Sequence, residues 1–359
     1  MIKKAQMLIL FLTLAAFTSS LVTACAPKQK TPLVVFAAGS LIQPFTELEK
    51  AFEANYPNID VMAEYHGSIQ VIRHATDLHE SIDVIATADH ALIPQLMYQV
   101  NLPDTNQPYA NWYIRFATNK LAIAYSPNSK YADEINAENW PEVLARPDVR
   151  VGLADPRFDA VGYRALMVTR LAEQVYGKSG MFNALFSGQF TYPIKVDEGG
   201  TLSIIRVPEV LETNDTSHIV LRGGSIQVLA LLDSGDVDYA FEYESVIAQH
   251  GLKLLALPDT LNLGAAEQNN FYKNATVKLD FQRFISVKPV FTGEQIGYGI
   301  TIPSNAPHPK EAELFLAFLL GDEGRQIMAG NHHPIFDIPE ASGDDHLPES
   351  LKPLVQPMP

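Results

Sequence analysis

The stretch VVFAAGSLIQPFTELEKAFEANYP, residues 34–57, contains two hydrophobic patterns in succession. The apolar run over residues 33–38 predicts a buried strand, and Gly39 and Ser40 interrupt it as a tight turn. The apolar residues that follow share one helical face: Leu41, Phe45, Leu48 and Phe52. Because a helix begins with unpaired N–H groups and the positive end of its dipole, this strand–turn–helix unit suits a small anion at the turn.

The same order of strand, polar turn and helix recurs along the chain. Predicted strands over residues 59–65 and 82–87 are each followed by a polar turn and a helix, and the first of these turns contains Gly67 and Ser68. Strands that alternate with helices indicate an α/β fold, in which ligands bind at the carboxyl ends of the strands.

The later part of the chain has fewer clear patterns. A helix is predicted over residues 163–175, a strand over 239–243 and a helix over 311–320. The Gly-rich and polar segment 177–225 and the tail from residue 339 are predicted to be the irregular parts.

The first 24 residues have the pattern of a secretory signal. Two lysines precede an apolar segment, and the small residues of Val-Thr-Ala-Cys end it at Cys25. This order is similar to a bacterial lipobox, which predicts that Cys25 is acylated, that residues 25–31 form a tether, and that the protein is anchored on the extracytoplasmic face of the cell membrane. The alternative is an ordinary signal peptide with an incidental cysteine.

The composition limits the classes of function. The 359-residue chain has 26 Lys and Arg against 41 Asp and Glu, a formal net charge of −15, so we expect no nucleic-acid partner. A single cysteine excludes an intrachain disulfide and any metal site built from several cysteines. The length suits two lobes of ordinary domain size.

Four polar residues are the best candidates for a binding site. Ser40 and Ser68 follow successive strands and could donate to one ligand, or each could simply cap a helix. Asp159, in DPRFDAVGYRALM, precedes a helix and could cap it. Glu242, in YAFEYES, is either functional or costly if its face of the strand is buried, and a solvated edge position is the alternative.

Enzyme signatures are absent from the sequence. It contains no G-x-S-x-G, H-E-x-x-H or Walker-type motif, and the adjacent His332 and His333 project differently, without a third ligand nearby in sequence. A hydrolase with Ser40 as nucleophile and His66 as base is the weaker alternative, because no acid is predicted to orient His66. We therefore expect no catalytic residue and no enzymatic activity.

Several ordered motifs together resemble one known family. These are the lipobox, FAAGSL, YHGS, the segment NWYIRFATNKLAIAYSPNSKYADEINAENW, DPRFDAVGYRALM, DVDYAFEYESVIAQHGLKLLALP and GYGITIPSNAPHPKEAELFLAFLL. They resemble the tungstate/molybdate-binding lipoproteins of ABC transporters, in the WtpA-type branch rather than the shorter ModA receptors. The resemblance covers most of the chain after residue 24.

The resemblance implies a fold and a function. The fold is α/β: a two-lobed class II periplasmic-binding-protein fold in which each lobe is a central mixed sheet flanked by helices. The first lobe would comprise residues 32–119 and 296–359, and the second residues 120–295. The protein would be a monomer without a cofactor that captures tungstate or molybdate and delivers it to the ABC transporter permease.

The resemblance also implies a ligand set. Gly39, Ser40 and Ser68 of the first lobe would bind the oxyanion, and Asp159 and Glu242 of the second would coordinate its metal centre, raising the number of oxygen neighbours from four to six. Carboxylates would repel a simple dianion, whereas a hexavalent Mo or W atom suits hard oxygen ligands. Sulfate, phosphate or ferric ion is the alternative cargo in the same fold.

This sequence departs from the family pattern in four places. The family's Pro-Cys after the aspartate is Ala160-Val161, and a charged segment before YAFEY is replaced by residues 222–225. Additional residues lie around 99–107 and 192–217. None of these changes replaces a predicted ligand, but they leave the choice between tungstate and molybdate open.

Overall fold

The computed structural model describes residues 30–281 and 289–358. The predicted signal segment and Cys25 lie outside the described residues. Within these ranges no helix is both long enough and apolar enough to cross a membrane.

The described residues form strands and helices that alternate along much of the chain. The strands are β1 Thr31–Ala38, β2 Ile59–His66, β3 Val84–Thr87, β4 Tyr113–Ala117, β5 Leu121–Tyr125, β6 Val151–Ala154, β7 Lys195–Gly199, β8 Leu202–Pro208, β9 Ile219–Arg222, β10 Tyr239–Tyr243, β11 Lys253–Ala256, β12 Ala275–Asp280, β13 Val290–Thr292, β14 Tyr298–Thr301, β15 Ile335–Ser342 and β16 Gln356–Pro357. The α-helices are α1 Ile42–Asn55, α2 Ser68–Thr76, α3 Leu92–Leu96, α4 Trp140–Leu144, α5 Ala160–Tyr176, α6 Met181–Phe186, α7 Ser225–Ser234, α8 Glu244–Gln249, α9 Asn269–Tyr272, α10 Pro309–Leu320 and α11 Asp322–Gly330.

The first predicted unit is confirmed. β1 ends at Ala38, a single 3₁₀ turn covers Gly39–Leu41, and α1 follows directly. The apolar face predicted for this helix is buried, since Phe45, Leu48 and Phe52 are each at most 1% exposed. Burial of these three side chains fixes the helix on the sheet and so fixes the position of the turn.

A seven-stranded mixed sheet forms the core of what we call the first lobe. Its strand order is β16-β15-β4-β14-β3-β1-β2. β1 pairs in parallel with β2 and β3, whereas β14 pairs antiparallel with β3 and β4. Helix α2 packs on β1, β2 and β3. The turns that follow β1, β2 and β3 therefore lie at one edge of this sheet.

A five-stranded mixed sheet forms the core of what we call the second lobe. Its order is β11-β5-β10-β6-β9, so β10, which carries Glu242, is the central strand. β10 pairs antiparallel with β5 and parallel with β6, and α5 and α7 pack on it. The alternative of a solvated edge position for Glu242 is wrong, because all five residues of β10 are buried.

The prediction that residues 177–225 are irregular is wrong. They contribute β7 and β8 to a four-stranded sheet, β13-β12-β8-β7, that packs on α5 in the second lobe, and they also contain α6 and β9. In β8 the buried residues are Ser203, Ile205 and Val207, whereas Leu202 and Ile204 are exposed. Apolar residues on both faces hide the alternation that identifies a strand.

The prediction of an irregular tail from residue 339 is also wrong in part. β15 continues to Ser342 and pairs with β4, and β16 adds a short parallel partner at the edge of the sheet. This tail forms a strand because an open sheet edge is available to pair with it, which a local sequence pattern does not reveal.

Candidate ligand-binding site

Four helices begin at the cleft between the two lobes. α1, after its 3₁₀ turn, and α2 start in the first lobe, and α5 and α7 start in the second. The cleft is lined by residues from all four starts, among them Gly39, Gly67, Asp159 and Gly224. The first N–H groups of a helix have no partner within the preceding turn and form the positive end of its dipole, so four helix starts favour negative charge at the cleft although the chain is acidic.

Ser40 is held as a hydrogen-bond donor at this cleft. It is 4% exposed, and its Oγ accepts a bond of 3.0 Å from the Tyr298 hydroxyl. Tyr298 in turn accepts a bond of 3.2 Å from Asn119 Nδ2. Because the Ser40 oxygen acts as an acceptor in this chain of bonds, its own O–H hydrogen is left for a ligand.

Ser68 has the same arrangement at the start of α2. It is 2% exposed, and its Oγ accepts a bond of 2.9 Å from the Ala88 N–H. The serine hydrogen again remains a free donor. Neither serine side chain caps its helix, so the alternative of two ordinary N-caps does not describe them.

Asp159 does cap its helix, and it also spans two helix starts. Its Oδ1 accepts from Val161 N of α5 at 2.8 Å, and its Oδ2 accepts from Ser225 N of α7 at 3.0 Å. Burial raises the pKa of this carboxyl, and the two backbone N–H groups oppose that effect. The capping function and a ligand function are compatible, since each carboxylate oxygen can take more than one partner.

Glu242 is the most unusual of the predicted site residues, because it lies on the buried strand β10 and is not among the residues that line the cleft. It is completely buried, and its Oε1 accepts a bond of 2.7 Å from the Tyr243 N–H. Its Oε2 has no hydrogen-bond partner in the described part of the chain. Burial raises the pKa of Glu242 to about 8, and the neighbouring charge of Asp159 acts in the same direction. A buried carboxylate oxygen without a partner is costly unless something else binds it.

Two glycines of the first lobe allow the lobes to approach closely. A Cβ on Gly67 would lie 2.4 Å from the Phe158 carbonyl oxygen, and a Cβ on Gly39 would lie 3.1 Å from Ile226 Cγ1. Both of these neighbours belong to the second lobe. Gly67 is thus required by the contact between the lobes, whereas a Cβ at Gly39 would require the Ile226 side chain to shift by a few tenths of an ångström.

Sequence reasoning missed three residues of this region. Ser225 begins α7, and its N–H donates to Asp159 Oδ2 at 3.0 Å. Its signal was available, because Gly224-Ser225 repeats the Gly-Ser turns at residues 39–40 and 67–68. Tyr298 and Arg164 reach the site only through the tertiary fold and give no local signal.

The hydrolase alternative lacks its central contact. Ser40 Oγ bonds to Tyr298 and not to His66. The expectation that no acid orients His66 is wrong, because Glu64 Oε2 lies 3.4 Å from His66 Nε2 on a partly exposed surface. The pair is adjacent to the cleft but does not activate the serine.

A second cluster could in principle hold a metal ion. Ligand atoms of Asp89, His90 and Glu294 lie within 4.8 Å of one another. However, Asp89 already accepts bonds from Tyr163 and Ala91 and lies 3.4 Å from an Arg164 nitrogen. This nearby cation opposes a second one.

The His332-His333 pair has no common orientation. His333 is completely buried beside Tyr298, whereas His332 is exposed in a left-handed turn with φ of 59°. The two rings therefore do not form a metal site together.

Comparison with known proteins identifies the family of this chain. The family model of bacterial extracellular solute-binding proteins matches residues 33–332. The molybdate/tungstate-binding protein WtpA of Thermococcus kodakarensis is 36% identical over 360 residues, which cover 98% of this chain and 95% of that protein.

Two solved structures show the same two-lobed fold. The periplasmic molybdate-binding protein of Azotobacter vinelandii has a TM-score of 0.52 at 15% identity, covering 84% of this chain and 98% of that one. A periplasmic thiamin-binding protein has a TM-score of 0.53 at 15% identity, and the match covers 94% of this chain and 92% of that protein. The fold thus accommodates unrelated cargoes, whereas the family match extends over most of the sequence: the chain belongs to the bacterial extracellular solute-binding proteins.

Proposed function

We propose that this protein captures tungstate or molybdate in the cleft between its lobes and delivers it to an ABC importer. The observation that carries this proposal is Glu242 Oε2, a completely buried carboxylate oxygen that has no hydrogen-bond partner among the described residues and belongs to a carboxyl group near Asp159, which lines the cleft. The similarity to WtpA, whose name states this cargo, supports the same assignment.

The chemistry of the carboxylates favours a metal-centred oxyanion. Ser40 and Ser68 supply hydroxyl donors to the outer oxygens, as any oxyanion needs. Asp159 and Glu242 would repel sulfate or phosphate when ionised, but a hexavalent Mo or W atom is a positive centre for which carboxylate oxygens are suitable ligands. Two carboxylates therefore attract this cargo and disfavour its competitors.

Isothermal titration of the purified protein with tungstate, molybdate, sulfate and phosphate tests the cargo. We expect one site per chain for the first two anions and no measurable heat of binding for the other two. Comparable affinity for sulfate would contradict coordination by the carboxylates.

X-ray absorption at the tungsten edge tests the ligand set. Six oxygen neighbours are expected in the wild-type complex, and four in a variant with Asp159→Asn and Glu242→Gln. Four neighbours in the wild-type complex would instead favour a second candidate, in which a protonated Glu242 donates a hydrogen bond to a tetrahedral anion; its raised pKa is the observation that favours this candidate.

The remaining features of the proposal concern location and partners. We propose acylation of Cys25, anchoring on the extracytoplasmic face of the cell membrane, contact with a transporter permease, a monomeric state and no enzymatic activity. The family description already implies a location outside the cytoplasm. The lack of a Ser40–His66 bond supports a binding protein over a hydrolase.

We also propose the lobe boundaries predicted above and a hinge near residues 120–125 and 295–300. The chain passes between the lobes after β4 and before β14, and these crossings are joined where Thr118 Oγ1 donates to the Ile296 carbonyl at 2.8 Å. Residues from both lobes bind the ligand, so binding should favour the closed state. Small-angle scattering should show a smaller radius of gyration with tungstate, and an unchanged profile would indicate a cleft that is closed beforehand.

A further inference from the structure

One arginine joins the two lobes behind the ligand site. Arg164, on α5 of the second lobe, is 3% exposed. Its guanidinium donates to the Ala88 carbonyl of the first lobe at 2.7 Å and also to the Tyr243 hydroxyl. A third contact brings it to 3.4 Å from Asp89 Oδ2, again in the first lobe. We call these four residues the Arg164 bridge.

Two members of the Arg164 bridge also hold residues of the ligand site. The Ala88 N–H donates to Ser68 Oγ at 2.9 Å, and the Tyr243 N–H donates to Glu242 Oε1 at 2.7 Å. Ser68 belongs to the first lobe and Glu242 to the second. The Arg164 guanidinium therefore binds one residue in each lobe whose N–H holds a predicted ligand residue: Ala88 holds Ser68, and Tyr243 holds Glu242.

A neighbouring tyrosine strengthens the same contact. The Tyr163 hydroxyl donates to Asp89 Oδ2 at 2.5 Å, and its ring stacks on Phe291 with centroids 4.1 Å apart. Asp89 is 5% exposed, and its other oxygen accepts from Ala91 N at 3.0 Å. Opening the lobes would separate Asp89 from both of its second-lobe partners and leave a carboxylate and a guanidinium to be solvated anew.

We propose that Arg164 is a positioning residue that couples closure of the lobes to the geometry of the ligand site. It does not touch the ligand itself. It fixes the Ala88 peptide that orients Ser68 and the tyrosine that follows Glu242, and it makes this connection only when the lobes are closed. The inference deepens the proposed function and depends on it for the identity of the ligand.

Replacing the planar guanidinium of Arg164 by a single ammonium group tests the proposal. Arg164→Lys keeps the charge, but one ammonium group cannot reach the three partners in the same geometry. Because breaking a buried, hydrogen-bonded charge pair acts mainly on dissociation, we expect tungstate to dissociate about tenfold faster or more, with an association rate within about threefold of wild type. Stopped-flow intrinsic fluorescence of the purified full chain measures both rates.

Two further variants make the result specific. Tyr163→Phe keeps the stacked ring and removes only the hydroxyl, so it should accelerate dissociation in the same direction by a smaller factor, even if Arg164→Lys folds poorly. Arg170→Lys is the matched control, because Arg170 lies on the same helix and its partners among the described residues, Ser203, Glu173 and Glu198, all belong to the second lobe. The control should leave both rates unchanged.

Amide hydrogen exchange separates this proposal from the proposed function. Peptides that contain Ala88 and Ile69 report on the site, since the Ile69 N–H donates across the lobes to the Phe158 carbonyl at 3.1 Å. Both peptides should exchange faster in Arg164→Lys than in wild type or Arg170→Lys, and the difference should be larger with tungstate, because the Arg164 bridge forms only when the lobes are closed. Unchanged dissociation and exchange in Arg164→Lys and Tyr163→Phe would overturn the Arg164 bridge, whereas wild-type protein that does not bind tungstate would overturn only the cargo.

Discussion

Replacing Glu242 by glutamine should have opposite effects on stability and on binding. The carboxyl is completely buried, and only its Oε1 has a hydrogen-bond partner among the described residues. The amide has the same shape but never ionises. In the absence of ligand the substitution removes a buried acid, and under the coordination proposed above it also removes an oxygen ligand of tungstate.

The magnitude follows from the pKa of Glu242, which burial raises from 4.5 to about 8. At about 1.4 kcal/mol per pH unit, ionising this group costs about 5 kcal/mol more in the folded protein than in the unfolded chain. Since the folded state holds the proton more tightly, this contribution to stability is fully present below pH 4.5 and is lost as the pH rises through 8.

As the pH rises from 5 to 8, the free energy of unfolding of the wild type should therefore fall relative to that of Glu242→Gln. Between the two pKa values the difference between the two proteins should grow by at most about 1.4 kcal/mol per pH unit, which gives about 3 to 4 kcal/mol from pH 5 to pH 8, and it should level off above that. A constant cost of burying the amide shifts the whole curve but does not change its slope. The slope is thus the decisive quantity.

Urea unfolding followed by circular dichroism, in buffers free of oxyanions, measures this slope. Glu138→Gln, at an exposed position, is the control for loss of one carboxylate. A pH-independent difference between Glu242→Gln and wild type would refute the reasoning, because it would mean that Glu242 is ionised and well solvated or paired in the folded protein.

Ligand binding by the same variant should weaken by a few orders of magnitude, since loss of a buried charged partner costs several kcal/mol. Coordination by Glu242 requires its ionised form, so tungstate binding to wild type near pH 7 should release a proton, and the affinity should rise with pH up to about 8. Calorimetry in buffers of different ionisation enthalpy detects that proton. Proton uptake, together with tighter binding by Glu242→Gln, would instead indicate a carboxyl group that donates a hydrogen bond.

Three other substitutions test separate parts of the protein. Gly67→Ala should lower tungstate affinity by about tenfold or more, because its Cβ would lie 2.4 Å from a carbonyl oxygen of the second lobe, whereas Gly330→Ala, with open space around it, should bind normally in the same titration. Tyr298→Phe removes the hydroxyl that donates to Ser40 and should weaken binding by about tenfold without loss of the fold by circular dichroism; an unchanged affinity would mean that the orientation of Ser40 does not matter. Cys25→Ala should release the protein from the membrane fraction with unchanged affinity, and wild type that is soluble and carries no lipid label would contradict the anchor.

The fold was largely predictable because most of its elements have one buried face. The strand of residues 33–38, the face of Phe45, Leu48 and Phe52, and the helix after Asp159 all have local patterns that burial reinforces. The wrong predictions also have physical reasons. β8 is apolar on both faces, and β15 forms because β4 offers an open edge, so neither has a local pattern that separates strand from loop.

Some residues of the site could likewise be predicted from the local sequence, whereas others depend on the tertiary structure. Gly-Ser turns before helices predict donors at Ser40 and Ser68, and a third such turn, at Gly224-Ser225, contains the same signal. The burial of Glu242 cannot be predicted in this way. The sequence YAFEY is equally consistent with an edge strand, and only the strand order of the folded sheet places β10 at its centre.

That central position gives Glu242 its raised pKa and leaves Oε2 without a hydrogen-bond partner in the described part of the chain, and both properties come from the strands and helices packed around it. Sequence motifs can thus indicate which residues are candidates for the site. Whether a carboxylate among them repels an oxyanion, donates to it or coordinates its metal depends on burial, which the folded chain alone determines.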